Sequence, residues 1–311
     1  MGKTAFIFPG QASQYVGMAK DFYDSSPEVK KLYDRASEIL GYDLADVSFS
    51  GPIEKLTQTV YTQPAILVHS LAVLTEMGDD FGEVEFAAGH SLGEYSALAF
   101  AGVLSFEDSI LAVKERSRAM QSACDAAEGT MAALIGCEGE NLEKLLEEAS
   151  KTGIIQPANF NSPGQVAVSG DRKAVEKAIE IAKDFGAKKA IPLQVGGAFH
   201  SPLMESARAE VEAVLSKMDF KDGRIAVVTN VEAKGEKDSG HLRELLIRQI
   251  TSPVLWKQTV DHMVENGVDR FIEIGPGKVL SGLVKRSAKG SNIGNIDTVE
   301  DLKKFKETVS A

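Results

Sequence analysis

A Gly-x-Ser-x-Gly motif placed between an apolar run and a helix-forming run constrains the fold more than any other feature. The motif is Gly89-His90-Ser91-Leu92-Gly93; residues 84–89 form the apolar run and residues 92–101 are small and helix-forming. The motif alone also occurs in ordinary loops, but this context predicts a sharp strand-to-helix turn, a nucleophile elbow. Its serine would lie at a helix N-terminus, where free N–H groups and the helix dipole favour negative charge. We therefore predict that Ser91 is a nucleophile in acyl transfer.

Apolar strands alternate with amphipathic helices along the chain, which predicts an α/β fold. The predicted buried strands of the main sheet are residues 4–8, 84–89, 225–229 and 270–274. One helix is predicted to begin at Pro64 and to end at Gly78, since proline favours the first helical turn and glycine the position after the last. A longer helix is predicted over about 106–122, with Ser105 as its N-cap.

The segment from about 125 to 195 has a different order of predicted strands and helices, which indicates an inserted unit. Its predicted strands are 131–135, 154–160, 165–169 and 188–193, and its predicted helices are 140–150 and 171–186. The order β-α-β-β-α-β is that of a ferredoxin-like unit. We therefore predict an α/β-hydrolase-like catalytic domain with a parallel sheet, residues 1–124 and 196–311, and a ferredoxin-like subdomain, residues 125–195. Further catalytic groups are expected from after the insert, across a cleft.

The bulk composition excludes several classes of function. The formal net charge of −11 argues against general binding to nucleic acid or to an anionic membrane. The chain contains no run of 18 apolar residues, so no membrane span is predicted. The short apolar run near residues 5–8 is unlike a secretory signal. Cys124 and Cys137 have no metal or redox spacing. These features predict a cytoplasmic protein with ordinary thiols and no metal.

A serine nucleophile needs a general base, and histidine is the usual one. His200 is the favoured candidate because it follows a glycine-rich turn and precedes a predicted helix, on the segment that re-enters the main domain. The other four histidines are expected in the core, beside the elbow or on the surface: His69, His90, His241 and His262.

Taken together, the motifs resemble those of the malonyl-CoA:acyl carrier protein transacylases of fatty acid synthesis and the acyltransferase domains of polyketide synthases. The resemblance runs from residue 4 to about 286. Eight blocks carry it in the same order: Phe8-Pro9-Gly10-Gln11-Ala12-Ser13-Gln14, Gln63-Pro64-Ala65, Gly89–Tyr95, Arg116–Gln121, Asn159–Gln165, Ala198–Met204, Gln249–Val254 and Glu273–Leu280.

The resemblance implies roles for the dyad and its support. Ser91 would be acylated, and His200 would act as its base without a carboxylate partner. The backbone carbonyl of Gln249 would orient the imidazole. The backbone N–H groups of Gln11 and Leu92 would form the oxyanion hole, each contributing about 3 kcal/mol to the transition state. On spacing alone, Gln11 reads as a strand-ending turn and Gln249 as a surface residue.

The resemblance also implies how the acyl group is chosen. Arg116 would clamp the free carboxylate of malonate, because guanidinium offers a planar fork for bidentate binding. Without the resemblance, Arg116 reads as a surface arginine beside Lys114 and Glu115. Phe199, in Ala198-Phe199-His200, would fill the space that the α-methyl of methylmalonate needs, and so favours malonyl.

The implied partners are malonyl-CoA as substrate and an acyl carrier protein, with no cofactor. Because such carriers are acidic and this chain is acidic too, docking requires a local basic surface. We predict it at Lys188, Lys189, Lys285 and Arg286; the alternative is ordinary solvated charge.

Three other functions are compatible with the motif. The first is a serine hydrolase of the thioesterase or patatin-like type. It would use water in the second half-reaction and would typically add a catalytic carboxylate. A trans-acting polyketide acyltransferase would serve a different carrier. A non-catalytic binding module would keep the fold and would not depend on Ser91.

Overall fold

A computed structural model describes residues 2–79 and 81–309 of the chain. The strands are β1 (Lys3–Phe8), β2 (Phe86–Gly89), β3 (Gly129–Ile135), β4 (Ile155–Ser162), β5 (Gln165–Asp171), β6 (Lys189–Pro192), β7 (Ala226–Val228), β8 (Gly235–Glu236), β9 (Val268–Ile274) and β10 (Asn292–Ile296). The helices are α1 (Lys20–Ser25), α2 (Pro27–Leu40), α3 (Leu44–Ser50), α4 (Ile53–Leu56), α5 (Thr59–Met77), α6 (Gly93–Phe100), α7 (Phe106–Ala126), α8 (Glu140–Ser150), α9 (Arg172–Ile181), α10 (Glu205–Leu215), α11 (Ser239–Arg248), α12 (Trp256–Glu265), α13 (Val279–Ser287) and α14 (Val299–Val309).

Six strands form the larger sheet in the order β10-β9-β1-β2-β7-β8. All of its neighbours pair in parallel except β7 and β8. Along β1, Phe6 and Phe8 belong to the core on one face, whereas Ala5 and Ile7 belong to the core on the other. Since side chains alternate between faces and both faces are buried, β1 is the continuous apolar run expected of a central parallel strand. The predicted α/β fold is confirmed.

The four strands predicted for this sheet are present, with small differences at their ends, and two further strands were not predicted. β10 has the sequence Asn-Ile-Gly-Asn-Ile, in which glycine and asparagine weaken the apolar pattern of a strand. β8 is only two residues long, so it leaves no periodicity to detect.

The second sheet is antiparallel and has the order β4-β5-β3-β6. Helices α8 and α9 pack together against it over a separate hydrophobic core. The β-α-β-β-α-β sequence of elements follows the predicted one, although α9 ends at Ile181, five residues before the predicted end. The exact boundaries of the insert, residues 125 and 195, stay a prediction.

Backbone hydrogen bonds tie the second sheet to the rest of the fold at one point. Val254, just before α12, donates its N–H to the carbonyl oxygen of Ala158 in β4 at 2.8 Å and accepts from the N–H of Phe160 at 2.9 Å. The segment just before α12 therefore pairs in parallel with β4 through a short backbone bridge.

Helix α5 begins at Thr59, so the predicted start at Pro64 was wrong. Proline lacks the N–H that would bond to the carbonyl of Val60 one turn earlier. The hydroxyl of Tyr42 donates to that carbonyl oxygen at 3.2 Å, which satisfies it and lets the helix continue through the proline. α5 is buried on nearly every side. Within residues 2–79 and 81–309, no helix combines the length and apolarity needed to cross a bilayer.

Candidate active site

Ser91 lies on the predicted sharp turn between β2 and α6. Its backbone φ is 51°, a left-handed conformation that a serine adopts only under constraint. The flanking glycines are required by close packing: a Cβ on Gly89 would lie 1.9 Å from the carbonyl carbon of Gly93, and a Cβ on Gly93 would lie 2.0 Å from the carbonyl oxygen of Phe8. The motif therefore builds the elbow by removing side chains where strand and helix meet.

Asn230 holds this turn in place and was not predicted from the sequence. Its Oδ1 accepts the N–H of Ser91 at 2.7 Å, and its Nδ2 donates to the carbonyl oxygen of Gly89 at 2.6 Å. Asn230 is fully buried and follows shortly after β7, which pairs with β2. The sequence did contain one signal for this role: Asn230 directly follows the predicted strand 225–229. The carboxyl ends of parallel strands meet at one edge of the sheet, so a polar residue there is expected near the site.

His200 meets Ser91 from the segment that follows the second sheet. The distance from Ser91 Oγ to His200 Nε2 is 2.8 Å, and His200 Nδ1 lies 2.9 Å from the carbonyl oxygen of Gln249. A carbonyl only accepts, so Nδ1 carries the proton and Nε2 is the acceptor for the serine hydroxyl. The third group is therefore a carbonyl, as the resemblance implied, and not a carboxylate.

The backbone of His200 is also constrained. Its φ is 56°, and its carbonyl oxygen accepts from Gln156 Nε2, in β4, at 2.6 Å. The same Nε2 donates to the carbonyl oxygen of Thr251 at 3.0 Å. Gln156 therefore links the second sheet to the segments that carry both His200 and Gln249.

Burial, with the nearby positive charge of Arg116 as the second cause, lowers the pKa of His200 to about 3. The imidazole is therefore neutral in the free protein at any ordinary pH, as a base must be. Protonation of His200 is costly here, since within residues 2–79 and 81–309 no carboxylate pairs with either ring nitrogen.

Two backbone N–H groups lie beside the nucleophile without a partner. Among the described residues, neither Gln11 N–H nor Leu92 N–H donates a hydrogen bond. Gln11 follows the end of β1, and a Cβ on Gly10 would lie 2.4 Å from the carbonyl oxygen of His90, so the two loops are in close contact. Unpaired N–H groups in one cavity are suited to bind an oxyanion.

Arg116 is fully buried on α7, so the alternative of a surface arginine is wrong. Its Nη2 donates to Ser91 Oγ at 3.0 Å and to Gln249 Oε1 at 2.9 Å, and its Nη1 donates to Gln63 Oε1 at 2.6 Å. The guanidinium lies over the ring of Tyr95, 5.4 Å from its centroid. Burial lowers the pKa of Arg116, but a guanidinium stays charged. A buried cation therefore faces the nucleophile.

Glu94, the residue after the motif, is a buried carboxyl that the sequence analysis did not consider. It is 1% exposed, and its Oε2 accepts from Gln249 Nε2 at 2.7 Å and from the N–H of Asn230 at 3.3 Å. Burial raises the pKa of Glu94 to about 7, despite these hydrogen bonds and the charge of Arg116. No signal in a single sequence distinguishes it from an ordinary first-turn glutamate.

A cavity of about 460 Å³ opens onto these groups, a volume typical of small-molecule sites. Phe199 lines it and is 7% exposed. The predicted site residues that border the cavity are Gln11, Ser91, Leu92, Arg116, Phe199 and His200. The structure therefore brings together every predicted catalytic and acyl-binding residue, with Gln249 directly behind them.

The remaining histidines are elsewhere or turned away. His90 points its Nε2 to Asn161 Oδ1, 2.9 Å away, and packs against Trp256. His69 is buried in α5 and bonds to the carbonyl oxygen of Asp297. Within the part of the chain that the structure describes, no group of three His, Cys, Asp or Glu side chains is arranged to hold a metal.

The four residues of the predicted docking patch are exposed. Arg286 also borders the cavity, at the end of α13, with Lys285 beside it. Lys189 lies on β6, an edge strand of the second sheet, with Lys188 before it. The patch therefore has one basic pair at the mouth of the cavity and one on the second sheet.

The family model of the acyl transferase domain matches residues 5–308. A malonyl CoA-acyl carrier protein transacylase of Bacillus subtilis is 45% identical over 304 residues, covering 96% of each chain. An acyl carrier protein S-malonyltransferase crystal structure from Vibrio cholerae has a TM-score of 0.92 at 42% identity, covering 97% of this chain and 99% of the other. A malonyl-transacylase solved in complex with its type II PKS acyl-carrier protein has a TM-score of 0.93 at 39% identity, covering 98% and 99%.

Proposed function

Since this chain belongs to the acyl transferase domain family, and its relatives are named malonyl CoA-acyl carrier protein transacylases, we propose that it moves a malonyl group from malonyl-CoA to the phosphopantetheine thiol of an acyl carrier protein. The carrier would serve fatty acid or polyketide synthesis. The proposal assigns Ser91 as the residue that holds the acyl group between the two half-reactions, with no cofactor.

In the first half-reaction, His200 Nε2 takes the proton of the Ser91 hydroxyl as Oγ attacks the thioester carbonyl carbon. The carbonyl oxygen becomes an oxyanion bound by the N–H groups of Gln11 and Leu92. The carbon–sulfur bond then breaks, and the proton on His200 passes to the departing CoA thiolate. Malonyl-Ser91 remains, with its carboxylate at Arg116.

In the second half-reaction, the thiol of the carrier's phosphopantetheine gives its proton to His200 and attacks the acyl-serine carbonyl. The same two N–H groups bind the oxyanion. The ester bond to Ser91 Oγ breaks, and the proton on His200 returns to Oγ. The serine hydroxyl is restored and the malonyl thioester leaves on the carrier.

One observation carries the proposal: a buried guanidinium donates to the oxygen of the same serine that pairs with a histidine. An esterase for uncharged acyl groups has no use for a buried cation there, because burial of an unpaired charge is costly. Support against a triad hydrolase comes from His200 Nδ1, whose partner is a carbonyl oxygen. A thioester is an activated substrate, so a base without a carboxylate suffices.

The proposal is tested with malonyl-CoA labelled in the malonyl group. We expect intact mass spectrometry to detect one malonyl group on Ser91 that persists until a carrier thiol is added and then moves to it. Rapid release of free malonate without a carrier would indicate a hydrolase, and no labelling of Ser91 would contradict the proposal. Fatty acid and polyketide carriers, compared in the same assay, distinguish the two pathways.

The docking patch gives a prediction for the second substrate. Reversal of charge in Lys285→Glu/Arg286→Glu should raise the apparent KM for the carrier by about tenfold, because the carrier is acidic and rim charges mainly steer association. The apparent KM for malonyl-CoA should stay within about twofold. Steady-state kinetics with each substrate varied in turn measure both.

A matched control for this prediction is Lys30→Glu/Lys31→Glu, an exposed basic pair on α2 outside the cavity lining. It makes the same change in net charge. Equal effects of the two double variants on the carrier, or equal effects of the patch variant on both substrates, would show that the patch has no specific role.

Phe199 gives a prediction for acyl choice. Phe199→Ser should increase the loading of methylmalonyl relative to malonyl by on the order of tenfold, because a smaller side chain opens the cavity wall where an α-methyl would lie. Competition between the two CoA esters, read as the two acyl masses on the protein, measures the ratio. An unchanged ratio in a protein that still loads malonyl would mean that Phe199 does not set the choice.

A further inference from the structure

A chain of hydrogen bonds joins the buried cation of the site to a buried carboxylate that no step of the mechanism uses. Arg116 Nη2 donates to Gln249 Oε1 at 2.9 Å, and Gln249 Nε2 donates to Glu94 Oε2 at 2.7 Å. All three side chains are buried, with exposed fractions of 0%, 0% and 1% for Arg116, Gln249 and Glu94. Arg116 and Glu94 are therefore linked by hydrogen bonds through the side-chain amide of Gln249 and are not in direct contact.

The accepting oxygen of Glu94 determines which way round the amide of Gln249 lies. A carboxylate only accepts hydrogen bonds, so Gln249 must turn its NH₂ toward Glu94 and its oxygen toward Arg116. The reverse orientation would place two donors face to face at Arg116. Gln249 Nε2 also donates to the carbonyl oxygen of Ser91 at 2.9 Å, so the same orientation supports the elbow.

The carboxylate also balances charge in a dry site. Among the described residues, no carboxylate lies within the distance of a direct ion pair with Arg116, and Glu94 acts on it through longer-range electrostatic attraction and through the amide of Gln249. When a substrate carboxylate reaches Arg116, two anions share one buried cation. The negative charge of Glu94 then weakens the hold on the substrate, because like charges at low dielectric repel strongly.

We propose that Glu94 is a positioning residue for acyl selection: through the amide of Gln249 its carboxylate orients Arg116 toward Ser91, and its negative charge limits how tightly Arg116 holds a substrate carboxylate. The inference rests on the proposed function, in which that carboxylate belongs to malonate. Because Glu94 weakens the hold of Arg116 on the malonyl carboxylate, the malonyl group can leave Ser91 for the carrier thiol instead of remaining trapped.

The protonation of Glu94 gives the proposal a pH signature. The titratable groups that interact with Glu94 are Arg116 from α7 and Tyr95 from its own helix, and His200 in turn interacts with Arg116. Burial raises the pKa of Tyr95 to about 12 and lowers that of His200 to about 3, and Arg116 stays charged. Among these groups, Glu94 is therefore the one that titrates near neutral pH. As the pH rises, Glu94 ionises and affinity for a carboxylate substrate should fall.

The test measures single-turnover acylation of Ser91 by malonyl-CoA and by acetyl-CoA between pH 5.5 and 8.5. Taking the ratio of the two half-saturation concentrations removes titration of the CoA moiety, which both substrates share. In the unaltered protein, we expect the malonyl-to-acetyl ratio to rise on the order of tenfold across this range. In Glu94→Gln, which keeps an accepting oxygen but has no charge, the ratio should stay at its low-pH value. A ratio that rises equally in Glu94→Gln would overturn the proposal.

Two further variants separate positioning from charge. Glu94→Leu has no acceptor for Gln249. Its preference for malonyl over acetyl should fall by about tenfold, whereas Glu94→Gln should retain the preference.

In an Arg116→Met background, Glu94→Gln should have no effect on the malonyl-to-acetyl ratio. A full effect there would overturn the link through Arg116. Acetyl loading of Ser91 reports that each variant has an assembled site. If malonyl-CoA does not label Ser91 in the unaltered protein, the proposed function fails first, and that outcome is distinct from failure of the role of Glu94.

Discussion

Ser91→Ala should lower kcat/KM for malonyl transfer by about 10⁴-fold or more and should abolish the covalent acyl-protein. The loss is large because Oγ forms the bond to the acyl group, and no other hydroxyl of the described residues pairs with His200 in the cavity. The remaining activity would come from binding and from the oxyanion donors alone. Transfer kinetics and intact mass spectrometry after incubation with malonyl-CoA measure the two effects.

Ser96→Ala is the matched control for this variant. Ser96 lies on α6, the helix that follows the turn at Ser91. It is fully buried, and its hydroxyl has no hydrogen-bond partner among the described residues. It should leave transfer within about twofold of the unaltered protein. Retention of transfer by Ser91→Ala would refute the acyl-serine mechanism and would favour direct transfer from malonyl-CoA to the carrier.

Arg116→Met should reverse the preference among acyl groups. We expect malonyl loading to fall by 10²- to 10⁴-fold, since a polar site that loses its designed partner discriminates by several orders of magnitude. Acetyl loading should fall far less, because an acetyl group makes no contact that requires a cation. Competition between malonyl-CoA and acetyl-CoA for Ser91, read by mass, gives the ratio directly.

Arg118→Met is the matched control, since Arg118 lies two residues after Arg116 but on the exposed side of α7. Arg118 pairs with Glu115 and Glu210 at the surface, and such pairs contribute little to stability. Its loss should leave the malonyl-to-acetyl ratio unchanged. A similar shift in both variants, or equal losses of malonyl and acetyl loading in Arg116→Met, would mean that Arg116 supports the fold rather than the acyl choice.

Much of the fold could be predicted from the sequence because local patterns and tertiary structure agree there. The elbow follows from two glycines whose absent side chains make room, at Gly89 and Gly93, and the central strand β1 is a plain apolar run. The start of α5 could not be predicted, because the hydroxyl that permits Pro64 inside the helix comes from Tyr42, which lies far away in the sequence. Tertiary hydrogen bonds of this kind leave no local trace.

The site residues likewise fall into those that local sequence predicts and those that only the assembled fold reveals. Ser91 is marked by its motif, and His200 by its glycine-rich turn, but Arg116 and Gln249 read locally as surface residues and only the resemblance singled them out. Their burial depends on packing between α7, the elbow and the end of α11, which no single segment encodes. Asn230 and Glu94 were missed because their partners, the turn at Ser91 and the amide of Gln249, exist only in the assembled fold.

The link made by Gln156 has a mechanical consequence. This side chain belongs to the second sheet, yet it holds the carbonyl oxygens of His200 and Thr251, and the backbone bridge at Val254 fixes the same strand to the main domain. Any widening of the cleft by rotation of one sheet against the other must stretch these bonds. An opening that stretched these bonds would also pull on the backbone of His200, the base of the proposed mechanism. Under the proposed function, a carrier arm would therefore reach Ser91 through the cleft at its present width.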